Sequence, residues 1–395
     1  MNGRPRRVLS IATLYPNAHT LRFGTFVARS LEALAARGGW EVTVINPIGL
    51  PPVRLGRYAR LAGAARDGIE HGVSVHRPSF PLIPRFGGPI NPWLIARSVL
   101  PLARRLHAQA PFDLVDAQFF YPDGPAAAKI AAALGLPLSI KARGADISYW
   151  GAHSSALRQM RAAAGQAAGL LAVSEALARD MAVVGMSEGR ITIHYTGLDR
   201  SLFHPRDRAA CRAEIAARFG ISQGGALLAT VGALIPRKGQ SLVIEALASL
   251  PEAQLALVGT GEDRARLAAL AERLGLSDRV PFLGSLDHEA LPVLLSAADA
   301  MVLPSASEGL ANAWIEALAC GTPLVISDAG GARELVRDDR AGRIVARDPA
   351  AIVSAIAGLL ADPPAQETVA AQAARFSWEA NAATLAEYYE RILAA

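Results

Sequence analysis

Cysteine is nearly absent from this chain of 395 residues: only Cys211 and Cys320 occur. Their separation fits neither a zinc site nor a disulfide framework, so both are expected as buried thiols. Aromatic residues make up 6% of the sequence, and no stacking cluster of the kind that binds nucleic acid accompanies the basic residues. No apolar run approaches the ~20 residues that span a bilayer. The first residues, "MNGRPRRVLSIATLYP", start basic, but their apolar stretch is short and strand-like, with no small-residue cleavage pattern. That argues against a secretory leader and for a cytoplasmic protein.

Acidic residues are scarce in the first half. Residues 1–200 hold 23 Lys/Arg against 12 Asp/Glu, a net of +11, and residues 201–395 hold 17 against 23, a net of -6. Between residues 42 and 112 nine arginines face only Asp67 and Glu70, in segments that include "RLGRYARLAGAAR" (54–66) and "NPWLIARSVLPLARRLHAQA" (91–110). Basic segments flanked by aromatics suit an anionic membrane surface or a phosphate-bearing substrate, and equally the solvated faces of ordinary helices.

The length exceeds what one growing core accommodates, so two domains are expected. Short apolar runs alternate with Ala/Leu-rich helical patterns, the signature of parallel sheets in an α/β protein. Strand-like runs fall at 7–14, 41–47, 73–78, 113–118, 137–144, 169–174 and 191–197, and the pattern restarts at 227–234, 254–261, 279–285, 300–305 and 323–328. Two doubly wound, Rossmann-like domains follow. The polar, proline-interrupted segment 197–210 separates them.

What chemistry there is collects after strands. "SASEGLANAWIEALACGTPLVISDAGG" (305–331) places Glu308 just past a strand end, where open α/β sheets bind ligands. Gly309, Leu310 and Ala311 lead into a helix whose expected cap is Asn312 and whose first N–H groups form an anion site. Glu316, one turn further, suits the vicinal diol of a ribose, or lies on the surface of an amphipathic helix. "VGALIPRKGQ" (231–240) sets Gly232, Arg237 and Lys238 after another strand, where the cations would neutralise a diphosphate. "LVGTGED" (257–263) brings Gly259 into a similar turn but lacks the third glycine of the dinucleotide fingerprint. Gly24, in the loop after the first strand, is either a phosphate approach or a plain turn.

Together these residues resemble the retaining glycosyltransferases of family 4, which have the GT-B architecture of two Rossmann-like domains facing a cleft. The resemblance runs from the Gly24 loop to "FSWEANAATLAEYY" (376–389), and its most specific element is the E-x7-E of Glu308 and Glu316 followed by Gly321, Thr322 and Pro323. It implies an acceptor-binding domain over 1–197, a nucleotide-sugar donor domain over 198–375, and a last helix, 376–395, that crosses back to the first domain. It places Glu308 at the transferred sugar and Glu316 at the ribose. Arg237 and Lys238 fall at the diphosphate, and backbone near Leu283 to Leu286 at the base. No cofactor or metal is implied, and no D-x-D pair for a divalent ion occurs. "YPDG" (121–124) and "ARGADI" (142–147) look most like members that build bacterial exopolysaccharides or cell-wall polymers, with Tyr121, Arg143 and Asp146 on the acceptor side. Such polymers imply a glycan or polyprenyl-diphosphate-linked acceptor and peripheral contact with the inner face of the membrane.

Two positions depart from the family. Ala233 stands where many members carry an arginine, which moves the second phosphate-binding cation to Arg237. Arg143 stands where many carry a histidine. A guanidinium stays protonated and is no general base, so Arg143 binds a sugar hydroxyl, a phosphate or an acidic sugar with Asp146 orienting it, or simply pairs with Asp146. A glycoside hydrolase would also use two carboxylates but has no use for phosphate-binding cations, and a catalytically weak nucleotide-sugar-binding protein would keep every feature above.

Overall fold

Apolar runs of four to six residues flanked by Ala-rich helices can bury both faces of a strand only inside a parallel sheet. The computed structural model describes residues 4–84, 87–287 and 289–394, with the side chain of Arg57 also outside the described set. Its first unit comprises Met1–Gly197 with Trp378–Ala395, and its second Leu198–Ser377.

Among the described residues ten strands belong to the first unit: β1 (Arg6–Ile11), β2 (Trp40–Ile45), β3 (Ile48–Leu50), β4 (Gly68–Glu70), β5 (Val73–His76), β6 (Ser79–Pro81), β7 (Leu114–Ala117), β8 (Leu138–Ala142), β9 (Gly169–Ala172) and β10 (Ile191–Ile193). Eight form one sheet in the order β10-β9-β8-β7-β1-β2-β5-β4, and β3 pairs separately with β6. The edge strand β4 runs antiparallel to β5 in the large sheet. The chain leaves β1 toward β2 and later returns to β7 on the other side, so a crevice opens at the carboxyl ends of β1 and β7.

The second unit holds β11 (Ala226–Val231), β12 (Ala253–Val258), β13 (Phe282–Gly284), β14 (Ala300–Leu303), β15 (Leu324–Ser327) and β16 (Gly342–Val345), in the order β13-β12-β11-β14-β15-β16 and parallel throughout. Here the winding reverses between β11 and β14. Leu228, Leu255, Leu257 and Val302 are fully buried beneath flanking helices. Cys211 and Cys320 are both buried and free, in keeping with inert thiols.

Every strand-like run of the sequence has its counterpart. The short strands β3, β4, β6 and β16 do not stand out, because three or four residues interrupted by Gly or Pro carry no period. The last helix, Trp378–Ala394, starts two residues later than 376 and packs in the core of the first unit through Leu385, Tyr388 and Tyr389, beside Val8 and Trp40. Polar contacts fix its register. Ser30 Oγ donates to Asn381 Oδ1 at 2.7 Å, and Asn381 Nδ2 donates to the Tyr195 carbonyl at 2.6 Å. His194 Nε2 lies 3.0 Å from the Asn381 carbonyl and its Nδ1 lies 2.7 Å from Lys141 Nζ, a pair in which burial lowers both pKa values. Among the described residues no helix is long and apolar enough to cross a membrane.

Candidate functional site

In the second unit the reversal between β11 and β14 selects the loops that follow those strands. After β11 the chain turns through Gly232 and a single 3-10 turn, Pro236–Lys238, into the helix Gln240–Leu247. Gly239 between them has φ +75°, and a Cβ there would stand 2.5 Å from the Pro304 carbonyl oxygen. Only glycine lets this turn lie against the backbone that leaves β14. A hydrogen bond from Ala306 N to the Arg237 carbonyl, 2.6 Å, ties the two segments.

That close approach sets the charges. Lys238 Nζ is hydrogen-bonded to Glu308 Oε1, and Arg237 Nη1 lies 3.5 Å from the same oxygen while donating to the Ser307 carbonyl at 2.6 Å. Lys238 and Glu308 are nearly buried, whereas Arg237 is exposed. Two cations and one carboxylate thus meet at the end of β14. Gly331 N donates to the Gly309 carbonyl at 2.8 Å, so the turn after β15 props the loop from below.

The helix Asn312–Ala319 starts directly after this loop, with Trp314 and Ile315 driving it into the core. Asn312 is not its cap. Ala311 occupies that position and no side chain caps the helix, because Asn312 already has entered the first turn. Backbone N–H groups and the dipole of an uncapped start favour an anion. Among the described residues no cation pairs with Glu316, and burial pushes its carboxyl up to about 7. On the other side of β11, Gly259 N donates to the Gly284 carbonyl at 2.7 Å, and a Cβ on Gly259 would fall on the Gly232 carbonyl. Leu283 is on edge strand β13, two strands from β11 and so about 10 Å away. Leu286 follows it, partly exposed.

The remaining candidates are in the first unit. Gly24 precedes the helix Thr25–Ala36 at φ +75°, and a Cβ would lie 2.5 Å from the Leu14 carbonyl carbon, so chain packing by itself demands glycine. Arg143 follows β8. Its Nε donates to the Gln118 carbonyl at 2.7 Å and its Nη2 to Gln118 Oε1 at 2.6 Å, and the guanidinium lies over the Phe26 ring at 4.8 Å. Nη1 makes no hydrogen bond among the described residues. Burial lowers its pKa to about 10, so the charge persists at neutral pH.

Asp146 does not pair with that guanidinium. Its carboxylate instead accepts the backbone N–H groups of Phe120 (2.9 Å), Arg143 (3.0 Å), Gly144 (2.8 Å) and Ile147 (3.1 Å), holding the loop's shape. A short carboxylate reaches nearby backbone more easily than a distant side chain. Tyr121 is likewise not open to an acceptor: its side chain is fully buried, tilted against Trp150, and its hydroxyl donates to the Gly88 carbonyl at 2.7 Å. Gln118, which sequence reasoning passed over, is what orients Arg143. Its place directly after β7, beside the crevice at β1, was the available signal. Asp123 was missed as well; its buried carboxyl accepts Thr13 N at 2.9 Å and is pushed up to about 7 by burial.

Comparison with known families now decides between readings. Residues 24–202 match the model described as Glycosyltransferase Family 4, and residues 212–376 the model described as Glycosyl transferases group 1. The chain therefore carries the two glycosyltransferase domains that these models describe. Its curated relatives include D-inositol 3-phosphate glycosyltransferase 2 of Catenulispora acidiphila, 37% identical over 52% of this chain and 52% of that protein. The D-inositol 3-phosphate glycosyltransferase of Mycobacterium avium is 36% identical over 52% of this chain and 50% of its own. The chain thus spans about half the length of the curated relatives it matches. Among solved structures, a sucrose-phosphate synthase from Thermosynechococcus elongatus superposes with TM-score 0.77 at 22% identity, over 98% of this chain and 99% of its own. HepE of Anabaena, solved with UDP and glucose, superposes with TM-score 0.72 at 22% identity, over 97% and 99%. The fold is GT-B.

Proposed function

We propose that this chain is a retaining, metal-independent glycosyltransferase of family 4. The second unit would bind a nucleoside-diphosphate sugar and the first a glycan or polyprenyl-diphosphate-linked acceptor, in bacterial polysaccharide assembly. The observation that carries this reading is the gathering of Lys238 and Arg237 on Glu308 at the mouth of an uncapped helix. A hydrolase of neutral glycosides has no use for that concentration of positive charge.

Breaking the bond between the anomeric carbon and the diphosphate builds positive charge on the sugar and negative charge on the leaving group. Lys238, Arg237 and the N–H groups that open the helix Asn312–Ala319 are fixed in advance where that negative charge collects, and need little reorganisation. Glu308 positions the sugar, and ionised Glu316 accepts the two ribose hydroxyls. Gly232 leaves room for phosphate against backbone, and the strand end near Leu283 and Leu286 receives the base. For retention the acceptor oxygen bonds to the anomeric carbon on the face the phosphate leaves, and its proton passes to the departing phosphate oxygen. Arg143, held by Gln118, offers Nη1 to a hydroxyl or anion of the substrate.

The deciding experiment is a thermal-shift screen of UDP, GDP, ADP and their glucose derivatives with and without EDTA, followed by donor hydrolysis. Stabilisation by a nucleoside diphosphate that survives EDTA, with slow release of sugar, is expected. No response to any nucleotide, or one that requires a divalent metal, would refute the reading.

The exposed basic faces of the first unit support peripheral contact with the cytoplasmic side of the membrane. The helix Asn91–Gln109 exposes Arg97, Arg104 and Arg105 beside Trp93, with the Arg97 guanidinium 5.5 Å from the Trp93 ring centre. Arg54 and Arg60 are exposed on the segment around Tyr58, and the side chain of Arg57, the sixth arginine of this surface, is outside the described residues.

A further inference from the structure

A cavity of about 440 Å3 opens in the first unit at the carboxyl ends of β1 and β2, a volume within the range of small-molecule sites. Its walls are largely apolar. Phe23, Ile48 and Phe80 form one part, and Leu61 and Leu82 another. None of these residues enters the chemistry assigned above.

Thr13, Asn17, His19, Thr20, Asn46 and Tyr58 interrupt the apolar lining, and two of them, Asn46 and Thr20, carry buried polar atoms without a partner among the described residues. Asn46 is 3% exposed, and its Nδ2 donates to the carbonyls of Ala12 at 2.7 Å and Thr13 at 3.5 Å, which fixes which way the amide faces. Its Oδ1 is buried with no partner among the described residues, and so is Thr20 Oγ1. An unpaired buried acceptor costs about 1–3 kcal/mol, a cost that a ligand hydroxyl would remove. The loop that carries Thr20 is already set, because Asn17 Oδ1 accepts the N–H groups of His19 and Thr20, each at 3.0 Å. Beyond the rim, the segment between β3 and the helix Arg57–Gly63 exposes Val53 (68%) and Leu55 (74%) next to Arg54. An apolar body carrying a hydroxyl fits this lining, and a longer hydrocarbon has exposed apolar surface on which to continue.

We propose that the cavity is an acceptor subsite for a glycoside with an alkyl or isoprenoid aglycone: the hydrocarbon lies against Phe23, Leu61 and Leu82, and a sugar hydroxyl donates to Asn46 Oδ1. The assignment deepens the proposed function and rests on the first unit being the acceptor half. It selects lipid-linked acceptors over free glycans.

The test uses the full chain and two glucosides that differ only in the aglycone, octyl and methyl β-D-glucoside, followed by ligand-observed NMR below the micellar concentration. Octyl glucoside is expected to bind at least tenfold tighter. Phe23→Asp, at a half-exposed position, and Leu61→Trp, which fills the cavity, should each weaken it at least tenfold while UDP binding changes less than twofold. Equal binding of the two glucosides, or octyl glucoside binding that both variants leave unchanged, would overturn the subsite. Failure of both glucosides with UDP still bound also overturns it but leaves the proposed function standing. Octyl glucoside bound by a chain that binds no nucleotide would leave a glycoside pocket but overturn both its role as an acceptor subsite and the proposed function.

Discussion

Gln118 turns both of its oxygens, one from the backbone and one from the side chain, onto the guanidinium of Arg143. Position rather than charge alone is therefore built into that residue. Arg143→Lys keeps the charge but cannot take both oxygens or lie flat on Phe26. Hydrogen bonds to charged groups contribute about 1.5–3 kcal/mol, so transfer is expected to fall roughly tenfold to a hundredfold. Nucleotide affinity should hold. Unchanged single-turnover transfer would return Arg143 to a purely structural role.

Glu308→Ala should abolish transfer with little loss of nucleoside-diphosphate affinity, whereas Glu316→Ala should weaken that affinity by about 1–3 kcal/mol. Isothermal titration of both variants against UDP checks this. Equal losses would contradict the division of labour between sugar and ribose.

The Lys238–Glu308 pair is nearly buried, so Glu308→Leu leaves the lysine charge without its partner and Lys238→Met leaves Glu308 only the exposed Arg237, 3.5 Å away. Lys238→Met and Glu308→Leu should each lower the melting temperature, and the double variant should recover part of the loss, because an apolar pair often replaces a buried ion pair without penalty. Activity should not recover in any of the three. Additive destabilisation would show that the pair is not coupled.

Glu316 titrates at about 7 in the folded chain and from 4.5 when solvated. Its raised pKa means that the folded state holds the proton more tightly, so stability from this group is full below 4.5 and declines as pH rises to 7, by on the order of 3 kcal/mol. Nucleotide affinity runs the other way, since the ionised form accepts the ribose hydroxyls: it should drop up to about tenfold between pH 8 and pH 6. Glu316→Gln should flatten both profiles, and a profile that survives the substitution assigns the titration elsewhere.

Co-sedimentation with anionic liposomes should be strong at low salt and weak at high salt, since each basic residue near such a surface contributes about 1 kcal/mol before screening. Changing the arginines at 54, 57, 60, 97, 104 and 105 to Gln should remove it. Binding indifferent to salt, lipid charge and these changes rules out this surface.

Much of this was legible in the sequence because parallel strands buried on both faces read as unbroken apolar runs, and each of Lys238, Arg237 and Glu308 follows one of them closely. What was illegible has local causes. Asn312 misleads as a cap because helix entry is decided by the extended backbone of Ala311 (φ -71°, ψ 122°), which has no residue-type signature. Asp146 beside Arg143 suggests an ion pair, yet four backbone N–H groups were nearer partners. Gln118 has no charge to draw notice, and Tyr121 packs against Trp150, a ring far from it in sequence.

The helix Trp378–Ala394 belongs to the unit that the chain begins with. During synthesis, the sheet of residues 6–193 is complete long before Leu385, Tyr388 and Tyr389 leave the ribosome, and until then the apolar surface around Val8 and Trp40 lacks its cover. The second unit has no such debt, being continuous from 198 to 377. The second half of the protein can therefore finish folding first, and loss of the last turns of the chain would be felt at its beginning.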